Sequence, residues 1–358
     1  MISAEADVGD GVRHPLRLYT RAFPAASELL VRALTGIKPT AAPHLGNLLG
    51  MIEPALALAE RQDAYYFIAD YHALTTLHDA ARMRAHTYEV AATWLALGLD
   101  PTRSVLWVQS DVPEVAELSW MLACVTGMGL LERAHAWKAA RDRGEDVGAG
   151  TAFYPVLMAA DILAFDTDRV PVGKDQRQHV EMARDMAIAF NSRFGDVLRL
   201  PEAAVRDEVA TIPGLDGRKM SKSYGNAVEV FLEPKALRKK IMSIVTDSKG
   251  VDDPKEPEGD NVFELYALVA SPEQISSLAA RYRAGGLGYG QAKQELYEVL
   301  EARLAAPRAR YHALLADTAT LDSVLADGAS RARQVATEVL GRCRAATGMR
   351  ASPRRFIG

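Results

Sequence analysis

Cysteine is scarce in this sequence, and long apolar runs are missing. Only Cys124 and Cys343 occur in 358 residues, too few for a disulfide framework or a four-cysteine metal centre. No uninterrupted apolar stretch approaches the roughly 20 residues needed to cross a bilayer. Acidic residues lie between positions 5 and 10, where a secretory or organellar leader would be basic or apolar. We therefore expect a cytoplasmic protein without a membrane segment or a protein-bound metal, in which residues 1–30 are a flexible extension.

Charge of one sign is also not in large excess, because the formal net charge is only -4. The average conceals an uneven distribution. From Arg303 onwards there are ten arginines against four acidic residues. Such a basic tail suits a phosphate backbone, and it suits a solvated helical surface equally well.

The first two thirds of the chain alternate β-rich runs with amphipathic patterns, which is typical of a parallel sheet with crossover helices. Predicted strands span residues 30–37, 65–69, 105–109 and 169–172, and predicted helices span residues 82–97 and 114–124. After about residue 227, long helix-forming stretches such as 292–304 and 331–346 dominate. The fold class is therefore α/β, a Rossmann-like doubly wound parallel sheet with an all-helical C-terminal domain. The predicted boundaries are 31–226 for the catalytic domain and 227–358 for the helical domain.

The strand that ends at Ile37 leads into residues 38–47 (KPTAAPHLGN), and a helical pattern begins near Leu48. In open α/β sheets, ligands bind beyond the carboxyl ends of the strands, where helix N-termini offer free N–H groups to anions. In this segment Gly46 would let a flat base approach the backbone, and His44 would donate hydrogen bonds to phosphate oxygens. The same residues also fit a plain strand–turn–helix with a capping histidine.

A second segment, residues 219–223 (KMSKS), follows the turn-forming residues 213–217. Lys219 and Lys222 are interleaved with hydroxyl groups on a glycine-flanked loop. This combination suits a triphosphate whose negative charge moves toward pyrophosphate as a bond breaks. The alternative is a solvated basic loop.

These two segments resemble the two signatures of class I aminoacyl-tRNA synthetases. Asn47 stands where many of these enzymes have a second histidine, a departure that tryptophanyl enzymes commonly show. The resemblance implies catalytic roles for His44, Lys219 and Lys222. It implies ATP binding by Lys38, Gly46, Asn47, Met220 and Ser221.

Residues 151–163 (TAFYPVLMAADIL) form an apolar helical pattern, and Pro155 suits a helix start. Tyr154, Met158 and Asp161 recur at i, i+4 and i+7, on one face. A carboxylate in an apolar stretch requires a hydrogen-bond donor. That donor is a neighbouring arginine or backbone N–H, or the indole N–H of a bound tryptophan, which has one donor and no acceptor.

Residues 170–179 (VPVGKDQRQH) run from a strand through a glycine turn into a helix. Val170 and Val172 alternate on one strand face and would wall an aromatic pocket. Asp175 and Gln176 stand where a ribose or an amino-acid head group is held. Taken alone, this segment is explained better by core valines and a helix-capping aspartate.

Together, these segments resemble bacterial tryptophanyl-tRNA synthetases, from about residue 34 to the C-terminus. The resemblance implies that Asp161 accepts the indole N–H and that Tyr154 and Gln176 hold the head group. It implies pocket positions for His72, Met158, Val170 and Val172, and contacts on the ribose side for Gly173 and Asp175. Lys38 departs from the family, since many bacterial relatives have glutamine there, near the substrate carboxylate.

The function implied is activation of L-tryptophan with ATP and Mg2+, followed by transfer of the tryptophanyl group to tRNA(Trp). A homodimer with a helical anticodon-binding domain is also implied, and neither DNA nor a membrane is an expected partner. Two alternatives stay open. One is a tyrosyl-tRNA synthetase, which shares the fold and both signatures, and the other is a catalytically silent paralogue that acts as a binding module.

Overall fold

The computed structural model describes residues 32–61, 63–133, 148–172, 177–205 and 212–350, with only the backbone at 169, 171, 172, 204 and 205. All of the described residues belong to one compact unit. The predicted N-terminal extension lies outside the described residues, and the predicted division at residue 226 stays a prediction.

Two parallel sheets form the centre of the unit. One comprises β1 (Arg32–Ile37), β2 (Asp63–Ile68) and β3 (Val105–Val108), and the other comprises β4 (Arg169–Val172) and β5 (Glu202–Val205). β2 pairs in parallel with β1 and with β3, β4 pairs in parallel with β5, and β1 also lies against β4. The four predicted strands are confirmed to within two residues at each described end, and the sequence reading missed β5.

The burial of β2 explains why the sheet carries helices on both faces. Tyr65 and Phe67 pack into one apolar cluster, whereas Tyr66 and Ile68 pack into another. Successive side chains of a strand point to opposite faces, so a run that is apolar throughout is buried on both sides. The doubly wound α/β fold is thereby confirmed.

The helices surround this sheet and continue to the C-terminus. In chain order they are α1 (Leu45–Asn47), α2 (Glu53–Ala59), α3 (Asp70–Ala73), α4 (Ala80–Ala96), α5 (Glu114–Ala123), α6 (Met128–Leu131), α7 (Ala149–Leu163), α8 (Arg177–Phe194), α9 (Pro234–Met242), α10 (Asn261–Ala267), α11 (Pro272–Ala284), α12 (Tyr289–Ala316) and α13 (Thr318–Ala346). A π-helical turn, Leu48–Ile52, joins α1 to α2. The described residues after position 226 form helices and loops without a strand, as predicted.

The predicted helix start at Pro155 is wrong. α7 begins at Ala149, after the N-cap Gly148, and Pro155 lies inside it. An interior proline removes one backbone hydrogen bond and crowds the preceding turn. The cost is offset because α7 packs along both α5 and α8 and buries most of its apolar residues.

The last helix is attached to the edge of the sheet. A Cβ at Gly328 of α13 would lie 1.8 Å from the carbonyl oxygen of Leu106 in β3, so only glycine permits this approach. Arginines along the same helix hold it in place. Their contacts are Arg331 to the carbonyl oxygens of Pro101 and Ser104, Arg333 to Glu114, Arg342 to Asp166, and Arg344 to Glu117. Much of the tail's positive charge therefore has intramolecular partners, and the charge excess alone does not locate a nucleic-acid surface.

Candidate active site

The predicted phosphate segment is a strand–turn–helix whose helix is capped by His44. The His44 Nδ1 accepts the backbone N–H of Asn47 at 3.3 Å, and the Asn47 Oδ1 accepts the backbone N–H of His44 at 3.1 Å. This reciprocal capping leaves Nε2 as the nitrogen of His44 that is available to another group. The capping interpretation and the phosphate interpretation are therefore compatible, because each uses a different ring nitrogen.

Gly46 brings the two signature segments into contact. A Cβ at Gly46 would lie 2.9 Å from the imidazole ring of His44 and 3.4 Å from the Cβ of Met220. The Gly46 backbone N–H donates to the Met220 sulfur at 3.2 Å. The structure therefore requires glycine at position 46 because His44 and Met220 pack against it. From the sequence we expected a different reason, the close approach of a flat base to the backbone.

The KMSKS segment is held by a buried asparagine, Asn226, which the sequence reading did not single out. Its Oδ1 accepts the backbone N–H of Ser221 at 2.8 Å, and its Nδ2 donates to the carbonyl oxygen of Lys219 at 3.2 Å. The same Nδ2 donates to Asp216 at 2.6 Å. Gly225 closes the segment with a φ of 67°, a conformation that glycine adopts without strain.

Lys222 joins the KMSKS segment to the first signature. Its Nζ donates to the carbonyl oxygen of Ala41 at 2.7 Å. The surrounding protein displaces water and lowers the pKa of Lys222 to about 8, against the opposing charges of Glu89 and Glu229. Burial lowers the pKa of His44 to about 4, and the charge of Lys222 adds to this effect. At neutral pH His44 is therefore a neutral donor, and Lys222 is a cation.

The predicted amino-acid pocket contains a buried carboxylate with two side-chain donors. The His72 Nε2 lies 2.8 Å from the Asp161 Oδ2, and the Gln109 Nε2 donates to the Asp161 Oδ1 at 2.6 Å. All three residues are at most 5% exposed. Burial raises the pKa of Asp161, and the hydrogen bonds from His72 and Gln109 oppose that rise. Neither donor is the arginine or backbone N–H that we expected as the ordinary partner.

Tyr154 connects this carboxylate to the end of β1. Its ring centroid lies 6.2 Å from that of His72, and the Nζ of Lys38 lies 5.7 Å from the Tyr154 ring centroid. The Tyr154 hydroxyl hydrogen-bonds to the Nε2 of His179 at 2.5 Å. Lys38 is exposed to solvent, but the surrounding protein displaces part of the hydration of its ammonium group and lowers the pKa of Lys38.

Lys38, His72 and Gln109 come from three different strand ends. They follow β1, β2 and β3 respectively, and the carboxyl ends of parallel strands meet at one edge of a sheet. Asp161 and Tyr154 reach that edge from α7. The sequence reading missed Gln109, although its position directly after β3 is a signal that could have identified it.

The other predicted residues are only partly described. Val170 is buried in the core cluster beside the sheet, Met158 is half-buried on α7, and the backbone of Lys219 bridges to that of Pro213. The Ser221 hydroxyl lies 2.8 Å from that of Ser223. The side chain of Val172 lies outside the described residues, as do Gly173, Asp175 and Gln176 in full.

The described residues contain neither a cluster of metal-ligand side chains nor a helix that could span a membrane. No group of three or more His, Cys, Asp or Glu residues there is arranged to hold a metal ion. No described helix is both long and apolar enough to cross a membrane.

Comparison with known proteins identifies the family. The model for class I tRNA synthetases (W and Y) matches residues 28–305. A tryptophan–tRNA ligase of Rhodopirellula baltica is 49% identical over 89% of this chain and 100% of its own length, and one of Pseudomonas aeruginosa is 48% identical over 90% and 75%. The structure of tryptophanyl-tRNA synthetase from Campylobacter jejuni, complexed with ADP and tryptophan, has a TM-score of 0.84 and 44% identity, covering 89% of this chain and 100% of that one. The chain therefore belongs to the class I tRNA synthetase family of tryptophan and tyrosine enzymes and, within it, to the tryptophan–tRNA ligases.

Proposed function

We propose that this chain activates L-tryptophan with ATP and transfers the tryptophanyl group to tRNA(Trp). The observation that carries the proposal is the contact between the two signature segments at Gly46 and Met220, beside His44 and Lys222. In a family of tryptophan–tRNA ligases, such a junction is where the ATP phosphates bind. The tryptophan carboxylate attacks the α-phosphorus, which forms tryptophanyl adenylate and releases pyrophosphate. The tRNA 3′-terminal hydroxyl then attacks the carbonyl carbon of the adenylate, which forms the tryptophanyl ester and releases AMP.

His44, Lys219 and Lys222 are the proposed catalytic groups. A neutral His44 donates from Nε2 to a phosphate oxygen, and the lysines stabilise the charge that develops on pyrophosphate. Such stabilisation is effective because the donors are already positioned before the bond breaks. Lys38, Gly46, Asn47, Gly173, Asp175, Met220 and Ser221 are the further residues proposed to contact ATP.

Asp161 is the proposed acceptor of the indole N–H. An ionised carboxylate accepts hydrogen bonds only, and it can accept more than the two that His72 and Gln109 donate. A phenylalanine in the same pocket would leave the remaining lone pair of this buried carboxylate without a donor, which is disfavoured. The remaining proposed tryptophan contacts are His72, Tyr154, Met158, Val170, Val172 and Gln176.

Mg2+ is proposed to enter with ATP. The described residues offer no cluster of carboxylates or imidazoles for it, and Mg2+ typically binds through substrate phosphates together with water. A homodimer, a cytoplasmic location and anticodon recognition by residues 227–358 complete the proposal. The support for these three points is family membership.

The test is amino-acid-dependent exchange of labelled pyrophosphate into ATP, with tryptophan, tyrosine and phenylalanine as substrates. We expect exchange with tryptophan alone, and its loss in Asp161→Ala. Asp185→Ala, which removes an exposed carboxylate on α8, is the control and is expected to retain exchange. Exchange with tyrosine would support the tyrosyl alternative, and no exchange with any amino acid would support the silent paralogue.

A further inference from the structure

Gln109 is buried beside the amino-acid pocket, yet only half of its amide is used. Its Nε2 donates to the Asp161 Oδ1 at 2.6 Å, whereas its Oε1 is buried without a hydrogen-bond partner among the described residues. A glutamine that served only the core would be expected to satisfy both ends, since an orphaned buried acceptor costs free energy. The orientation of this amide is therefore dictated by the carboxylate.

The reverse orientation of the amide is excluded by charge. It would place Oε1 against the Asp161 carboxylate, and two acceptors at 2.6 Å repel each other. The backbone of Gln109 is also fixed, because its carbonyl oxygen accepts the N–H of Val112 at 3.1 Å in a 3-10 turn. A neutral donor on a fixed strand end holds one carboxylate oxygen without neutralising the carboxylate.

His72 holds the other oxygen. Its Nε2 lies 2.8 Å from the Asp161 Oδ2, and its Nδ1 is also buried without a partner among the described residues. The two donors approach from different strand ends, after β2 and after β3, and each engages a different oxygen. Together they fix the plane of the carboxylate, which a single donor would leave free to rotate.

We infer that Gln109 is a positioning residue for tryptophan selection, which holds the Asp161 carboxylate turned so that a free lone pair meets the indole N–H. This inference rests on the proposed function, in which Asp161 reads that N–H. Without the Gln109 donor, a carboxylate in apolar surroundings more readily takes up a proton and rotates. A protonated Asp161 would present a donor to the indole N–H, and tryptophan would lose its advantage over analogues without that group.

The experiment measures kcat and KM in pyrophosphate exchange for tryptophan and for 3-benzothienylalanine, in which sulfur replaces the indole N–H. In Gln109→Met, which keeps the side-chain length and removes the donor, we expect kcat/KM for tryptophan to fall roughly 10- to 100-fold, mainly through KM. The KM for ATP and the values for the sulfur analogue should change little. Selectivity for tryptophan should therefore fall by the same factor.

A double-mutant comparison separates positioning from packing. If Gln109 acts through Asp161, then adding Gln109→Met to Asp161→Asn should cause no further loss of selectivity. Thr93→Val is the control, because it removes a similarly buried polar group that bonds only to a helix carbonyl oxygen, that of Glu89, at 2.6 Å. It should retain the selectivity of the wild type.

Unchanged selectivity in Gln109→Met would overturn the inference, and so would an equal loss for tryptophan and the sulfur analogue. If Gln109→Met does not fold, Gln109→Asn, which keeps the amide but shortens its reach, provides the same comparison. A wild type that does not exchange with tryptophan would instead refute the proposed function. The two failures are therefore distinguishable.

Discussion

Raising the pH from 7 to 9 is expected to remove most of the positive charge of Lys222 in the free enzyme. The pKa of this group is lowered to about 8 by displacement of water, despite the opposing effects of Glu89 and Glu229. Its protonated fraction therefore falls from roughly 0.9 at pH 7 to roughly 0.1 at pH 9. Because only the charged form stabilises pyrophosphate, kcat/KM for ATP should fall nearly tenfold over this range, with the slope of one proton.

The same transition should move to higher pH in kcat. A bound triphosphate places negative charge beside Lys222 and favours its protonated form. The pH dependence of kcat/KM reports the free enzyme, whereas that of kcat reports the complex. The assay is pyrophosphate exchange from pH 6.5 to 9.5 at several ATP concentrations, with tryptophan saturating.

Lys222→Arg is the matched control, because a guanidinium stays charged throughout this range. It should lower the overall rate and abolish the break near pH 8. A break of unchanged position in Lys222→Arg would assign the titration to another group. A wild-type kcat/KM that is flat to pH 9 would refute the assignment of Lys222 as a charged catalytic group of lowered pKa.

Three further predictions concern other parts of the chain. The lowered pKa of His44, about 4, means that the unfolded chain binds a proton as pH falls from 6.5 to 4 while the folded chain resists it. Between pH 7 and pH 4, the free energy of unfolding measured with urea should therefore fall by about 3 kcal/mol more in the wild type than in His44→Asn. Gly328→Ala should lower the free energy of unfolding by about 1–3 kcal/mol, because its Cβ would lie 1.8 Å from the Leu106 carbonyl oxygen. The control is Gly341→Ala in the same helix, whose Cβ would meet nothing within 4 Å and which should raise the free energy of unfolding by about 0.5–1 kcal/mol. Equal effects of the two variants in urea unfolding would contradict the contact. Inhibitors that resemble tryptophan but lack its carboxylate should compete with tryptophan more effectively in Lys38→Gln than in the wild type. Equal inhibition of the two enzymes in a titration would contradict a role for the Lys38 cation.

The local patterns in the sequence were sufficient for four of the described strands and for the signature segments. The strand at 169–172 was predicted with its observed bounds, and the helices at 82–97 and 114–124 shift by two residues or fewer. Periodicity of apolar residues is a local property that survives folding. β5 (Glu202–Val205) was missed because a run of only four residues, two of them alanines with low strand propensity, gives no such signal.

Local preference also failed where packing outweighed it. Pro155 has the character of a first-turn residue, but α7 extends six residues before it, because the helix is stabilised along its whole length by α5 and α8. The arginine surplus of the tail was readable from the sequence. The sequence did not reveal that four of these arginines lie along α13 and contact residues of the α/β part.

By itself, the sequence determined the fold class, the two signature segments and the buried carboxylate at Asp161, because each depends on residues close together in the chain. Only the tertiary structure decided the partners of that carboxylate. His72 and Gln109 lie 89 and 52 residues from Asp161, and they meet it because parallel pairing brings the carboxyl ends of β2 and β3 to one edge, against α7. Likewise, the packing of Gly46 against Met220 joins positions 174 residues apart. Contacts over such distances depend on strand order and helix packing, which local residue preferences do not encode.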